Sequence, residues 1–538
     1  MQRTIVVLVV GLTPSLMGTN TPNLSKLARR GAMQPLTTVT PAVTCAAQST
    51  FVTGTAPDQH GIVGNGWYFR DLSEIWFWRQ SNKLVAGEKI WDAAKKRDPE
   101  FTCAKLFWWY NMYADVDWAV TPRPMYPADG RKLPDIHAKP ENLRSELNSK
   151  LGQFPLFRFW GPAADLIASD WITRSALHVR ETRDPTLTMV YLPHLDYCLQ
   201  KYGPNALEVE PEVQAVDRLC GHLIEQADKD GTRIVVISEY GITDVKGPVH
   251  INRALRQAGL IQVREELGLE LLDAGASEAF AIADHQIAHI HVQNPERLGE
   301  VKALIEALDG VEVVLDEEGK NAYGLAHLRA GDLVAISHAD RWFTYYYFLD
   351  DARAPDYART VEIHRKPGFD PVELFIDPNI KIPQLAIGYR LLRKALGFRV
   401  LMDVIPLDAN LVKGSHGRLT DRPEDGPLII SSEADVLPDI EVTATDVNFK
   451  GVYHGMRAAL PIMVEQGSGV IVNISSGAAT GALEGWSHYN ASKAAALSLT
   501  RTGDAEYRAH GVRIVGFSPG TVKTGMQIAI KASGLNPI

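Results

Sequence analysis

The stretch PAVTCAAQSTFVTGTAPDQHGIVGN, residues 41–65, sets a hydroxyl, Thr44, at the head of a run of small residues. It then turns at VTGTAP and again at HGIVGN, which carries Asn65 back toward that hydroxyl. A hydroxyl at a helix N-terminus is well placed to attack phosphorus, because the free N–H groups there stabilise negative charge on the nucleophile and on the phosphoryl oxygens. The same position also suits a plain helix cap with no chemistry. The spacing alone leaves both readings open.

Outward from this stretch, short apolar strands recur at residues 4–10, 187–191, 233–237 and 279–283, separated by segments of helical periodicity such as PEVQAVDRLCGHLIEQADKD. That alternation predicts an α/β domain with a mostly parallel sheet and a site at the carboxyl ends of its strands. At one such end, in VVISEYGI (residues 235–242), the apolar run delivers Glu239 and Tyr240 to the point where the chain turns at Gly241. The chain has 538 residues, 45% hydrophobic and 22% charged, which is globular composition with material for two or more domains. A net charge of -9 without a basic stripe argues against a nucleic-acid duplex as partner. Four cysteines, Cys45, Cys103, Cys198 and Cys220, are too few for a disulfide framework and fit a reducing compartment. The opening TIVVLVVGL reads as a buried first strand rather than a signal peptide. No apolar run nears the roughly 20 residues that span a bilayer. The expectation is a soluble, cytoplasmic protein without a membrane partner. A Pro- and acid-rich tract at residues 420–447 precedes a change of pattern, and a domain boundary is expected near residue 440.

Taken in order, TPNLSKLARRGA, VTCAAQSTFVTG, HGIVGN, LDYCLQKYGP, VVISEYG and GSHG resemble the successive motifs of type I phosphodiesterases and nucleotide pyrophosphatases of the alkaline phosphatase superfamily, over roughly residues 1–440. The resemblance implies an alkaline-phosphatase-like fold. It also implies Thr44 as nucleophile, ten residues before Gly54, and Asn65 as a phosphate-binding amide. The mechanism it implies is a phospho-threonine intermediate formed between two zinc ions, which lower the nucleophile's pKa and clamp the phosphoryl group. Asp196 occupies the Asp of the family's DxxxH pair, and His416 its late histidine. The chain departs from the pattern at three positions. Val10 stands for the first-strand Asp, Gln200 for the His of DxxxH, and Glu239-Tyr240 for an Asp-His pair. The metal ligands expected are therefore Asp196, Gln200, Glu239, Tyr240 and His416, around zinc or a harder divalent cation. Amide and phenol are weak substitutes for zinc's usual donors.

The functional expectation is metal-assisted hydrolysis of a phosphodiester or phosphoanhydride, in a small phosphorylated substrate, through Thr44 and an altered metal centre. One alternative is a catalytically degenerate scaffold that binds a phosphorylated ligand. Another is a site rebuilt by His194, His250, His285, His289 or His291, of which the last two share one face of a strand. Two aromatic clusters, GWYFRDLSEIWFWRQ from Gly66 and FWWYNMY from Phe107, read either as a stacking wall beside the phosphate site or as a subdomain core built from Trp76, Trp78, Trp108 and Trp109. Arg70 and Arg79 read either as phosphate partners or as surface ion pairs.

Beyond residue 440, DVNFKGVYHGMRAALPIM, GSGVIVNISSGAA, WSHYNASKAAALSLTR and VRIVGFSPGTVKTGM resemble the catalytic half of a short-chain dehydrogenase/reductase, a truncated Rossmann-type segment at residues 441–538. The resemblance implies Ser476, thirteen residues before Tyr489, together with Tyr489 as general acid/base, Lys493 lowering its pKa, and Asn448. The roughly 90 residues that should carry the family's Gly-rich dinucleotide turn are absent. An NAD(P)-dependent oxidoreductase is thus the third reading of function, with no independent nicotinamide binding expected. The unpaired sheet edge left by the missing strands marks a hazard of self-association.

Overall fold

The computed structural model describes residues 1–437, 448–449, 451–481 and 486–519. The boundary expected near residue 440 falls outside them. Two compact units emerge, Met1–Leu437 and Pro438–Ile538.

The first unit is built on an eight-stranded sheet in the order Ala32–Pro35, Leu428–Ser431, Arg233–Ile237, Thr4–Val9, Leu187–Leu192, Cys103–Leu106, Trp118–Pro122, Ile136–Lys139. The five strands from Arg233–Ile237 to Trp118–Pro122 pair in parallel, while the outer pairings are antiparallel. Val7 and Leu8, Val190 and Tyr191, and Val235 and Val236 are buried, neighbours that point to opposite faces, as expected of parallel strands covered on both. The helix Val209–Asp230 buries Val209, Val213, Val216, Cys220, Leu223 and Ala227 at helical spacing and stops at Gly231, whose φ of 64° suits glycine. The α/β architecture read from the alternation of strands and helices is the one observed.

One strand lies elsewhere than expected. Ala279–Asp284 joins Ile287–Val292, Leu333–Ser337 and Val311–Leu315 in a separate antiparallel sheet. Its core includes Phe280, Ile282, Ile290, Leu333, Trp342 and Tyr345. An apolar run long enough for one strand carries no label of the sheet it will enter, and here the tight return at His285-Gln286 pairs it with the next strand.

In the second unit, Gly469–Ile474 and Val512–Phe517 form a parallel pair. Met456 and Leu460 of the helix Gly451–Glu465 pack with Val512 and Ile514 into a small core. Strand alternation turns Val470, Val472 and Ile474 outward, where they are exposed. Neither this fold nor any relative described below supports the expected self-association.

Candidate active site

Three adjacent parallel strands end on one side of the first unit and set out the site. Thr4–Val9 leads into Val10 and Gly11, Leu187–Leu192 into the helix His194–Tyr202, and Arg233–Ile237 into Glu239 and Tyr240. Asp196 and Gln200 lie four apart on that helix, so they share a face, and Gln200 Nε2 donates to Asp196 Oδ2 at 2.9 Å. Gly241 follows at a close approach, since a Cβ there would run into the carbonyl oxygen of Asp425.

Thr44 is the first residue of the helix Thr44–Thr53, with Val43 in the cap position. The capping alternative therefore does not describe it. Its Oγ1 lies 3.0 Å from the Tyr240 hydroxyl, which donates to Asp196 Oδ1 at 3.3 Å. Either hydroxyl can donate in the Thr44–Tyr240 contact. The Tyr240 ring stacks on the His416 imidazole, centroids 3.7 Å apart and planes 8° from parallel. His416 donates through Nδ1 to Ala42 O at 2.7 Å, which leaves Nε2 facing Asp196 Oδ1 at 3.7 Å without a hydrogen-bond partner. Thr44 and Asp196 thus meet at the phenolic oxygen, with Gln200 on the far oxygen of Asp196 and His416 against the ring. Glu239 stands beside them: its Oε1 accepts from Gln48 Nε2 at 2.6 Å, Gln48 Oε1 accepts from Trp109 N at 2.7 Å, and Glu239 Oε2 has no hydrogen-bond partner among the described residues.

Burial governs the charge state of this cluster. It pushes Asp196 up to about 7, against the opposing hydrogen bonds from Gln200 and Tyr240. It also raises Glu239 well above the usual carboxylate range and holds His416 and His285 well below the usual imidazole range. The centre is accordingly poor in charge.

The Asn65 amide is engaged through both its oxygen and its nitrogen. Its Oδ1 accepts from Cys45 N at 3.0 Å, while its backbone N–H and its Nδ2 donate to the two oxygens of Asp284 at 2.7 and 3.0 Å. Asp284 also meets His285 Nδ1 at 2.9 Å, and the His285 ring lies 3.7 Å from that of His416. Sequence reasoning missed Asp284, although an apolar strand ending in Asp-His was a visible signal. Gln48 was equally readable, one helical turn beyond Thr44. Of the histidines considered for a rebuilt site, only His285 is in it. His194 pairs with Glu212, His250 with Thr344, and His289 with Val63 O and Gly331 N, while His291 packs against Phe280 and Tyr68.

Above Thr44 lies a cavity of about 80 Å³ walled by Trp78, Trp109, Trp160 and Phe369 among others. Trp78, Trp109 and Trp160 also line an outer cleft of about 370 Å³ that carries Arg79, Arg123 and Lys132. The aromatic clusters therefore divide: Trp78 and Trp109 form the wall, while Trp108 belongs to the main core. Arg70 is an ion-pair residue, bound to Asp332 at 3.1 Å. Arg79 rests on the Trp76 ring at 4.0 Å.

In the second unit, Tyr489 and Lys493 lie one turn apart on the helix Ser487–Tyr507. Lys493 Nζ is 5.9 Å from the Tyr489 ring and donates to Ile474 O at 3.0 Å, close to where Ser476 follows its strand. The Ser476 hydroxyl accepts from Ala478 N at 3.2 Å, and Asn448 Nδ2 donates to Ser492 Oγ at 3.2 Å. Lys493 thus sits between the tyrosine and the serine's strand, whereas Asn448 engages neither.

The family model described as type I phosphodiesterase / nucleotide pyrophosphatase matches residues 4–370. The chain belongs to that family. Its fold is accordingly that of an alkaline-phosphatase-like phosphoester hydrolase. The short chain dehydrogenase model matches residues 437–533. Among solved structures, the phosphonoacetate hydrolase of Sinorhizobium meliloti 1021, in complex with phosphonoacetate, shares the fold at a TM-score of 0.53 and 17% identity, covering 82% of this chain and 91% of that one. The C-terminal segment is 43% identical over 100 residues to 2-(R)-hydroxypropyl-CoM dehydrogenase of Xanthobacter autotrophicus, 18% of this chain and 40% of that protein. It is also 43% identical over 83 residues to sorbitol-6-phosphate 2-dehydrogenase of Klebsiella pneumoniae, 15% of this chain and 31% of that protein. The chain spans less than half the length of these two dehydrogenases.

For this member of the type I phosphodiesterase family, the residues do not fit the two-zinc centre. Zinc asks for three or four thiolate, imidazole or carboxylate donors around one point. Among the described residues, no group of three or more such side chains is arranged to hold a metal. The Tyr240 hydroxyl stands between Thr44 and Asp196, its ring covers a face of His416, and the apolar side chain of Val10 offers no donor.

Proposed function

We propose that the phosphodiesterase-type domain binds a small phosphorylated molecule with a flat group in the cleft above Thr44, on a hydrolase fold whose metal positions are taken by its own side chains. The observation that carries this reading is the Tyr240 hydroxyl between Thr44 Oγ1 and Asp196 Oδ1. With it in place the cluster has no cation at the floor to offset a phosphoryl charge. The cations are at the mouth instead, as Arg79, Arg123 and Lys132. A phosphate held there by charge-assisted hydrogen bonds would leave a planar group to lie among Trp78, Trp109 and Trp160. Family membership supports a phosphorylated ligand, as does the phosphonoacetate bound by the structurally similar hydrolase.

Nitrophenyl phosphate and nucleoside monophosphates titrated against tryptophan fluorescence test the reading. Saturable quenching that falls about tenfold in Trp160→Ala is expected, the scale of a lost aromatic contact. Absence of saturable binding would refute it.

Hydrolysis through Thr44 is the second reading, favoured by the place of that hydroxyl at the head of its helix and on the pocket wall. Turnover of a nitrophenyl phosphodiester by wild type but not by Thr44→Ala would establish it. For the second unit we propose no nicotinamide-dependent activity of its own, which a cofactor titration checks.

A further inference from the structure

Residues 382–401 of the first unit, IPQLAIGYRLLRKALGFRVL, lie beyond the family match that ends at residue 370. The helix Pro383–Ala395 buries none of its residues. It rests on the body through Ile387, with Met402 packing nearby. Leu385, Tyr389, Leu392 and Leu396 follow one another at intervals of four, three and four, which places them on one face, and they are 68%, 61%, 58% and 67% exposed. Phe398 and Leu401 extend the apolar surface, at 59% and 47%. A contiguous apolar stripe of this kind marks a contact surface, whereas apolar residues scattered singly do not.

The charge of the segment says what covers it. Lys381, Arg390, Arg393, Lys394 and Arg399 are all cationic, and no Asp or Glu interrupts them before Asp403, in a chain whose net charge is -9. Arg390 pairs with Asp403 at 2.7 Å. Lys381, Lys394 and Arg399 make no ion pair among the described residues, and the Arg393 guanidinium lies over Tyr389 and Phe398 at 5.7 and 5.8 Å. No helix among the described residues is long and apolar enough to cross a membrane. A short basic helix with an exposed apolar face and aromatic residues beside its cations has the makeup of one that lies in a lipid interface. The expectation of no membrane partner rested on the lack of a spanning segment, and a peripheral helix needs none.

We propose that residues 381–401 seat the protein on an anionic lipid surface, with Leu385, Tyr389, Leu392 and Leu396 in the headgroup boundary and the cations against anionic headgroups. The test is co-sedimentation of the full chain with vesicles of phosphatidylcholine alone and of phosphatidylcholine mixed with phosphatidylglycerol. Binding is expected to the mixed vesicles only and is expected to weaken with salt. Neutralising two cations in Arg393→Gln/Lys394→Gln should weaken it about thirtyfold, at the usual contribution of a basic residue near such a surface. Leu385→Ser/Leu392→Ser/Leu396→Ser should abolish it while leaving the unfolding transition unchanged, because these side chains are exposed. Wild type that fails to sediment with mixed vesicles, or variants that bind as wild type does, would overturn the proposal. So would self-association in sedimentation velocity that the leucine variant loses, since the face would then serve a second protein copy.

Discussion

Lys366 is the cation of a buried triad, and replacing it with methionine probes how the aromatic wall is held. Its Nζ lies 2.7 Å from Asp370 Oδ2 and 2.7 Å from Glu373 Oε1, and all three side chains are no more than 2% exposed. Glu373 in turn accepts from Trp160 Nε1 at 2.5 Å, and Phe369 sits between the triad's members in the chain, so the ion cluster grips two walls of the cleft. Methionine keeps most of the volume but removes the charge, leaving two carboxyls in a dry interior. Breaking a buried pair in this way costs about 3–5 kcal/mol, a large part of a domain's usual 5–15 kcal/mol. The sign with pH follows from the acids. Burial already holds Asp370 above the usual carboxylate range, with Lys366 opposing the shift. Without the lysine the folded chain must keep protons that the unfolded chain sheds above about pH 4, so the variant loses stability as pH rises. Urea unfolding followed by tryptophan fluorescence at about pH 5 and pH 8 should show a deficit that widens at the higher pH. A variant within about 1 kcal/mol of wild type at both would refute the argument, because an uncompensated pair of buried carboxyls cannot be that cheap.

Three further outcomes are expected. Tyr240→Phe removes the hydroxyl between Thr44 and Asp196 and should cost about 1–3 kcal/mol in thermal unfolding, since both partners stay buried; an unchanged transition would count against the bridge. Asp196 keeps its proton up to about 7 in the folded state, so wild type should lose stability as pH rises from about 4 to that value. Asp196→Asn should flatten the profile, and parallel profiles for the two proteins would contradict the shift. Neither a chelator nor added zinc should move the melting temperature; stabilisation that saturates at an equimolar zinc ratio would overturn the misfit of the metal centre.

What was legible in the sequence follows the range of each interaction. The strands at residues 4–10, 187–191 and 233–237 declare themselves because a parallel strand buried on both faces is apolar throughout. Asp196 and Gln200 were readable as neighbours because helical spacing joins them. The sheet that Ala279–Asp284 enters was not readable, since periodicity names an element and not its partner. Asp284 reaches Asn65 across 219 residues, and Trp160 meets Phe369 with ring centroids 5.5 Å apart though no local pattern connects them. The amide of Asn65 looked like a ligand group because its spacing matched a motif. Its satisfaction by Cys45 and Asp284 is a tertiary fact.

The stack of Tyr240 on His416 also bears on what a single substitution can do at this site. A histidine at position 240 alone would remove the oxygen that links Thr44 and Asp196. The new imidazole would stand at the His416 ring, and Val10 and Gln200 would still add no charged donor. That variant gives up a buried hydrogen bond, a loss of about 1–3 kcal/mol where the partners stay buried. The phenol acts as a tie: one oxygen joins the head of one helix to the first turn of another, and so fixes the floor of the cleft.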